Sequence, residues 1–429
     1  MKPTLSRLLL LCACAAPGSA AAQLLPAPIP SLPSSVGEVG EVVTAPLGQT
    51  LGTLRQVNID RLLRQHRREL DTDRNGAPVV RSRIVALDPS PEAISRALDA
   101  GFSVERESEL SELGLHLVVL AAPEGMRTRN ALSKLQRLDP SGHYDYDHIY
   151  LGADAAPTAT KVGSYAVAAA GSSAPGTAVR VGLVDGGVDA SHPSLTGTDV
   201  RSWGCGGIAH PDAHGTAVAS LLAGAPATAG RQQAGTRSEL FAADIYCGAP
   251  TGGAVTGLAQ ALAWLSRERV AVINLSLVGP PNALLERLVD SMLQRGHVLV
   301  AAVGNDGPAA PPLYPAAYAG VIGVTAIDAR GRTLPEAARG PQVDFAAPGS
   351  GLDAANAGAG FKSVRGTSFA APLVARRAAE SARAPAAGLS ASVMATLERE
   401  AVDAGPKGRD DRYGDGVLAA GEQARWSQR

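Results

Sequence analysis

The stretch Val364-Arg365-Gly366-Thr367-Ser368-Phe369-Ala370-Ala371-Pro372 sets a serine between a small-residue turn and an Ala-rich apolar run. A serine hydroxyl is a poor nucleophile near neutral pH, so using it for hydrolysis requires a base and donors for the oxyanion. The local pattern suits that use. Gly366 leaves room for a substrate carbonyl to approach Ser368. The run Phe369–Ala375 predicts a helix that Ser368 opens, with free N–H groups and a dipole favouring negative charge. Pro372 is compatible with the first turn of such a helix. Read alone, the same residues equally describe a Gly-Thr-Ser turn that caps a helix.

Two upstream segments supply the missing partners. Val179–Val188 reads as a short buried strand ending in Asp185 and two glycines. A carboxylate at the carboxyl end of a parallel strand lies at the ligand-binding edge of an α/β sheet. His214-Gly215-Thr216-Ala217-Val218-Ala219-Ser220 leads a histidine into a small, apolar helix whose start aims the imidazole at that edge. Either residue alone is more often structural. In the chain order Asp, His, Ser they follow the subtilisin arrangement rather than the chymotrypsin or α/β-hydrolase orders.

Four motifs in this order resemble the subtilisin family of serine proteases: V-D-G-G-V at Asp185, H-G-T-A-V-A at His214, A-A-V-G-N-D-G-P around Asn305 and G-T-S-F-A-A-P at Ser368. Tyr413-Gly414-Asp415-Gly416 resembles the segment that closes many members. The resemblance implies an α/β fold of three layers around a central, mostly parallel sheet. It makes Ser368 the nucleophile and His214 the general base, which then acts as acid toward the leaving amine. Asp185 orients the imidazole and stabilises its protonated form, and the Asn305 amide joins the Ser368 N–H in holding the oxyanion. The implied protein is a serine endopeptidase acting on polypeptide substrates, monomeric and without a cofactor. A noncatalytic relative that binds peptides or inhibits proteases is the alternative, and it has no need of all four residues.

Substrate contacts can also be read. Val270–Leu277 is a β-branched, apolar strand, and its continuation Ser276-Leu277-Val278-Gly279 stands where relatives carry a peptide-binding edge. Gly252-Gly253 would form the opposite edge, so that an extended substrate adds as a strand. Leu277-Val278-Gly279 and Ala301-Ala302-Val303-Gly304 are expected to wall the primary pocket. None of them is acidic, and Val278 stands where the family pattern has glycine. The expectation is a narrowed pocket for small or medium apolar residues.

The chain's remaining segments read differently. Lys2 and Arg7 precede the apolar Leu8–Ala16, and Ala20-Ala21-Ala22 offers a cleavage site, so residues 1–22 read as an export signal and predict a periplasmic or extracellular protein. A lipidated Cys14, which would anchor the protein to a membrane, is the competing reading. Residues 23–80 read as a Pro/Gly-rich, flexible leader. Residues 81–151 follow strand, helix, strand, strand, helix, strand and resemble the ferredoxin-like propeptide of subtilases. Residues 152–429 then form the peptidase domain. That resemblance implies a self-processing zymogen inhibited by its own propeptide, whose last strand lies in the active site, cut between Tyr150 and Gly163.

Composition agrees with an exported, globular enzyme. The 429 residues are 45% apolar and carry a net charge of -1, which gives no reason to expect nucleic-acid or anionic-membrane binding. Removing the signal leaves Cys205 and Cys247, an even pair predicting a disulfide in an oxidising compartment, with two buried thiols as the other reading. His210-Pro211-Asp212-Ala213-His214 lacks the Glu and the unbroken helix of a zinc-protease pair. His192 reads as part of a structural turn, and Gly358–Ser363 as a surface loop rather than a phosphate loop. Ala225–Arg237 has no Asp or Glu, so no family-type calcium site is expected there.

Overall fold

The computed structural model describes residues 44–153, 179–224, 238–358 and 360–418. The export signal, the Cys14 site and the segment 225–237 lie outside these residues. The upstream part begins with α1 (Thr44–Gln65) and β1 (Leu70–Thr72), and continues through β2 (Pro78–Leu87), α2 (Pro91–Asp99), β3 (Ser103–Leu110), β4 (Leu115–Ala121), α3 (Thr128–Leu138) and β5 (His143–Gly152). Local chemistry explains the starts. Ser90 Oγ accepts from Ala93 N at 3.1 Å and Pro91 stands at the first helical position of α2, so cap and proline agree.

Residues 44–72, read from the sequence as flexible leader, instead contain α1 and β1, and β1 pairs antiparallel with β2. The leader reading rested on a Pro- and Gly-rich composition without clear periodicity. A glycine costs a helix only about 1 kcal/mol, and Pro46 falls in the first turn, where it is tolerated. Leu47, Leu51 and Leu54 recur at helical spacing through them.

The upstream strands form an antiparallel sheet in the order β5-β2-β4-β3. One face packs Ile84, Ala86, Val118 and Leu120 against α2 and α3. The other face, with Val85, Leu87, Leu115 and Leu117, shares a core with helices of the downstream part.

Downstream, the chain runs through β6 (Arg180–Asp185), β7 (Thr198–Trp203), α4 (Ala213–Ala223), β8 (Ser238–Asp244), β9 (Gly253–Ala254), α5 (Val255–Arg267), β10 (Val272–Leu275), β11 (Leu277–Val278), α6 (Ala283–Gln294) and β12 (Val298–Ala302). It ends with β13 (Ile322–Ile327), β14 (Phe345–Pro348), β15 (Ser350–Ala355), β16 (Phe361–Arg365), α7 (Thr367–Glu380) and α8 (Leu389–Glu400). Seven of these strands make one parallel sheet in the order β14-β13-β12-β10-β6-β8-β7. The buried runs of β10, β12 and β13 are apolar almost throughout, as strands covered on both faces must be.

The alternation along β12 shows the layers. Val298, Val300 and Ala302 face a core shared with α4 and α7, whereas Leu299, Ala301 and Val303 face the core built with α5 and α6. The expected three-layer α/β architecture is therefore present. It gathers the carboxyl ends of β6, β10 and β12 at one edge, where the motif residues lie.

Candidate active site

Asp185 is the last residue of β6 and is fully buried. Its Oδ1 lies 2.8 Å from Nδ1 of His214 and accepts from Gly186 N at 2.6 Å. Burial pushes the Asp185 carboxyl up, and the His214 ring and the Gly186 N–H oppose that rise. A carboxylate on one ring nitrogen fixes the tautomer and leaves the other nitrogen to handle a proton.

His214 is held in place by its own helix start. Asp212 caps α4, its Oδ1 accepting from His214 N at 2.7 Å and Gly215 N at 3.0 Å. Asp212 N in turn donates to Gly187 O at 2.9 Å, which ties this cap to the glycines after Asp185. The approach is close: a Cβ on Gly215 would lie 2.3 Å from Gly186 O. Only glycine fits there. Asp212 was named above merely within an unsuitable zinc pair, although an Asp just before a helix start is itself a capping signal.

Ser368 is the second residue of α7, completely buried, and its backbone O accepts from Ser276 Oγ at 3.0 Å. Gly366 precedes the helix at φ 140°, a conformation that disfavours a side chain. The ring of Phe369 lies 5.2 Å from that of His214. Asn305 follows β12 and points into the same place. Its Oδ1 accepts from Thr367 N at 3.1 Å while its Nδ2 donates to Ala153 O at 2.6 Å. Thr367 Oγ1 also accepts from Gly304 N at 3.2 Å, so the turns carrying Asn305 and Ser368 are stitched together.

The end of β5 fills the groove beside these residues. Ile149 and Tyr150 pair antiparallel with Ala254 and Gly253 of β9, while Leu151 and Gly152 pair with Val278 and Leu277 of β11. Ala153 N then donates to Ser276 O at 3.4 Å. Tyr150 is fully buried, its hydroxyl donating to Pro280 O at 2.8 Å. A Cβ on Gly279 would lie 2.4 Å from its ring, and one on Gly252 2.6 Å from Leu151. Ala153 is buried in the same cluster as Val278 and Ala302. The structure thus sets Gly252, Gly253, Ser276, Leu277, Val278 and Gly279 against a strand of the chain itself, while Ala302 lies in the core that also holds Ala153, and Gly304 N donates to Thr367 Oγ1.

Cys205 and Cys247 form a disulfide with a Cα–Cα distance of 5.2 Å. His192 is buried at a turn, its ring nitrogens 2.8 Å from Ser194 Oγ and 2.8 Å from Gly360 O. Phe361–Ser363 belongs to the β15–β16 hairpin, away from any phosphate-loop geometry.

Residues 176–416 match the model of the subtilase family. The chain belongs to the subtilase family. Subtilisin BL of Lederbergia lenta is 34% identical over 207 residues, which cover 48% of this chain and 76% of that protein. The alkaline protease of Alkalihalobacillus alcalophilus is 34% identical over 207 residues, 48% of this subtilase and 54% of that entire sequence. The fold is shared with fervidolysin of Fervidobacterium pennivorans, a keratinolytic enzyme related to subtilisin, at a TM-score of 0.64 and 20% identity over 83% of this chain and 63% of that one. This subtilase is accordingly a hydrolase of the serine endopeptidase class. Among the described residues, no helix is long and apolar enough to cross a membrane.

Proposed function

We propose that this subtilase is made as an exported precursor that cuts its own chain after Ala153 and then works as a serine endopeptidase on other polypeptides. One observation carries the reading: the Ala153 carbonyl rests on Asn305 Nδ2 at 2.6 Å, in a strand paired on both sides as a substrate would be. Upstream residues 70–153 then serve as propeptide, with β5 as both first substrate and inhibitor.

In this reading Ser368 Oγ attacks the Ala153 carbonyl carbon and gives its proton to His214. Asp185 holds the imidazole and stabilises its charge. The oxyanion takes hydrogen bonds from Asn305 Nδ2 and the Ser368 N–H. His214 then protonates the amine of residue 154 as the Ala153–Asp154 bond breaks, and water, deprotonated by the same ring, releases the acyl group. Ala153, a small apolar residue buried in the same core as Val278, supports a preference for small apolar residues before the cut. Tyr150 supports an aromatic residue four places before it.

Expression of the full chain and of Ser368→Ala in a protease-free host tests this. The parent should yield a mature protein beginning at residue 154 and labelled by a serine-directed fluorophosphonate, and Ser368→Ala should persist as precursor. Processing of Ser368→Ala to the same end would refute self-cleavage. A processed parent that takes no label would favour the noncatalytic alternative.

A further inference from the structure

Arg74, Arg127 and Arg129 line one cavity of about 430 Å³ on the upstream unit, with Asn130 and Ser133 as its other walls. They come from two places in the chain: Arg74 from the turn between β1 and β2, the other two from the start of α3. Both supports are fixed. Asp73 Oδ1 accepts from Asn75 N and Ala77 N at 2.8 Å each, which closes the turn, and Arg74 Nη2 donates to Ser133 Oγ at 2.6 Å. Ser133 Oγ in turn donates to Arg129 O at 3.1 Å.

Three cations in one cavity repel one another unless a negative charge accompanies them. The acids on these elements are engaged elsewhere. Asp71 accepts from Thr128 Oγ1 at 2.9 Å and faces Arg81 at 3.7 Å, Asp139 pairs with Arg96 at 3.4 Å, and Asp73 Oδ2 lies 3.3 Å from His148 Nε2. Glu124, close in sequence to Arg127, is not part of the cavity wall. Among the described residues, none of the three arginines pairs with a carboxylate. The helix adds to the imbalance: α3 has no acidic residue in its first turn, and Arg127 at the cap position makes no side-chain capping bond. A helix start carries partial positive charge, so cations are disfavoured beside it and an anion is favoured. The Arg74 charge also reaches β5. Burial pushes the Tyr146 hydroxyl up, Arg74 opposes that rise, and the hydroxyl has no hydrogen-bond partner among the described residues.

We propose that this cavity binds a phosphate-bearing anion, held by the guanidinium groups of Arg74, Arg127 and Arg129 with the positive end of α3 beside them. Planar guanidinium groups match phosphate oxygens two at a time. The volume lies in the ordinary range for small ligands, about 300–1,000 Å³, so a short phosphate chain fits as well as a single phosphate group. All five lining residues belong to the upstream unit, and the site needs no particular cut in the chain.

Isothermal titration of full-length Ser368→Ala, which keeps the upstream unit in place, with orthophosphate and with tripolyphosphate tests this. One tripolyphosphate should bind per chain at low salt, and at least about tenfold more weakly at about 1 M salt. Tighter binding of tripolyphosphate than of orthophosphate would assign a phosphate chain as ligand, and equal binding a single phosphate group. Arg127→Gln with Arg129→Gln should lower the tripolyphosphate affinity by at least about tenfold. Arg61→Gln with Arg64→Gln, which removes the same charge from exposed positions of α1, should change it by less than about twofold. Absence of binding, equal losses in the two double variants, or binding retained by processed enzyme that lacks the upstream residues would overturn the assignment. Should the Arg127 and Arg129 variant fail to fold, Arg74→Lys decides: it keeps the charge but loses the fork, and an unchanged tripolyphosphate affinity would count against the site.

Discussion

Asn305 uses both ends of its amide: Oδ1 is fixed by Thr367 N, which leaves Nδ2 aimed at the Ala153 carbonyl. A donor held this way gains most when the carbonyl oxygen becomes negative, so its loss should appear in turnover more than in binding. Asn305→Ala is expected to lower kcat on the order of 100- to 1,000-fold with little change in KM. Steady-state kinetics on one peptide checks this, and a rise in KM at unchanged kcat would point to a mere binding role. Asp185, His214, Asn305 and Ser368 were legible because each sits in a run of small residues whose order is unusual. Ala153 was not, because its role depends on the register of a distant strand pairing rather than on its own chemistry.

At the level of elements, the groove is built from two very short strands, β9 and β11, which have few bonds of their own until β5 lies between them. Glycines set its shape. Gly279 faces the Tyr150 ring so closely that an added Cβ would lie 2.4 Å from it, and the ring cannot yield freely because its hydroxyl is tied to Pro280 O. Gly279→Ala should therefore reduce kcat/KM by about 10- to 100-fold for peptides with tyrosine four residues before the cut, and much less for peptides with alanine there. Equal losses on both peptides would show that the substitution damages the edge itself. The strands and helices of the upstream unit matched their sequence pattern closely because each carries its own periodicity, to which α2 adds the Ser90 cap. The α1 helix escaped it, since the leader reading rested on the Pro- and Gly-rich composition of the whole stretch.

For the whole molecule, the question is what keeps the His214 loop and the substrate edge in fixed relation, since different strands carry them. Part of the answer is the shared parallel sheet. The Cys205–Cys247 disulfide adds a direct tie between the segment leading to α4 and the one leading to β9, closing a sequence separation of 42 residues that includes Asp212 and His214. Asp244 supports the same corner, its Oδ1 accepting from Tyr246 N and Cys247 N at 2.9 Å each. Loop closure of this size restricts the unfolded chain by about 4 kcal/mol in the entropic model, and the 5.2 Å Cα separation lies within the ordinary range for such bonds. In the uncleaved Ser368→Ala precursor, Cys205→Ser with Cys247→Ser should therefore lower unfolding free energy by up to about 4 kcal/mol. Denaturant titration of the parent with and without reductant should give the same loss. If the double variant unfolds at the same denaturant concentration as the parent, the sheet alone holds the two segments together and the disulfide adds no stability.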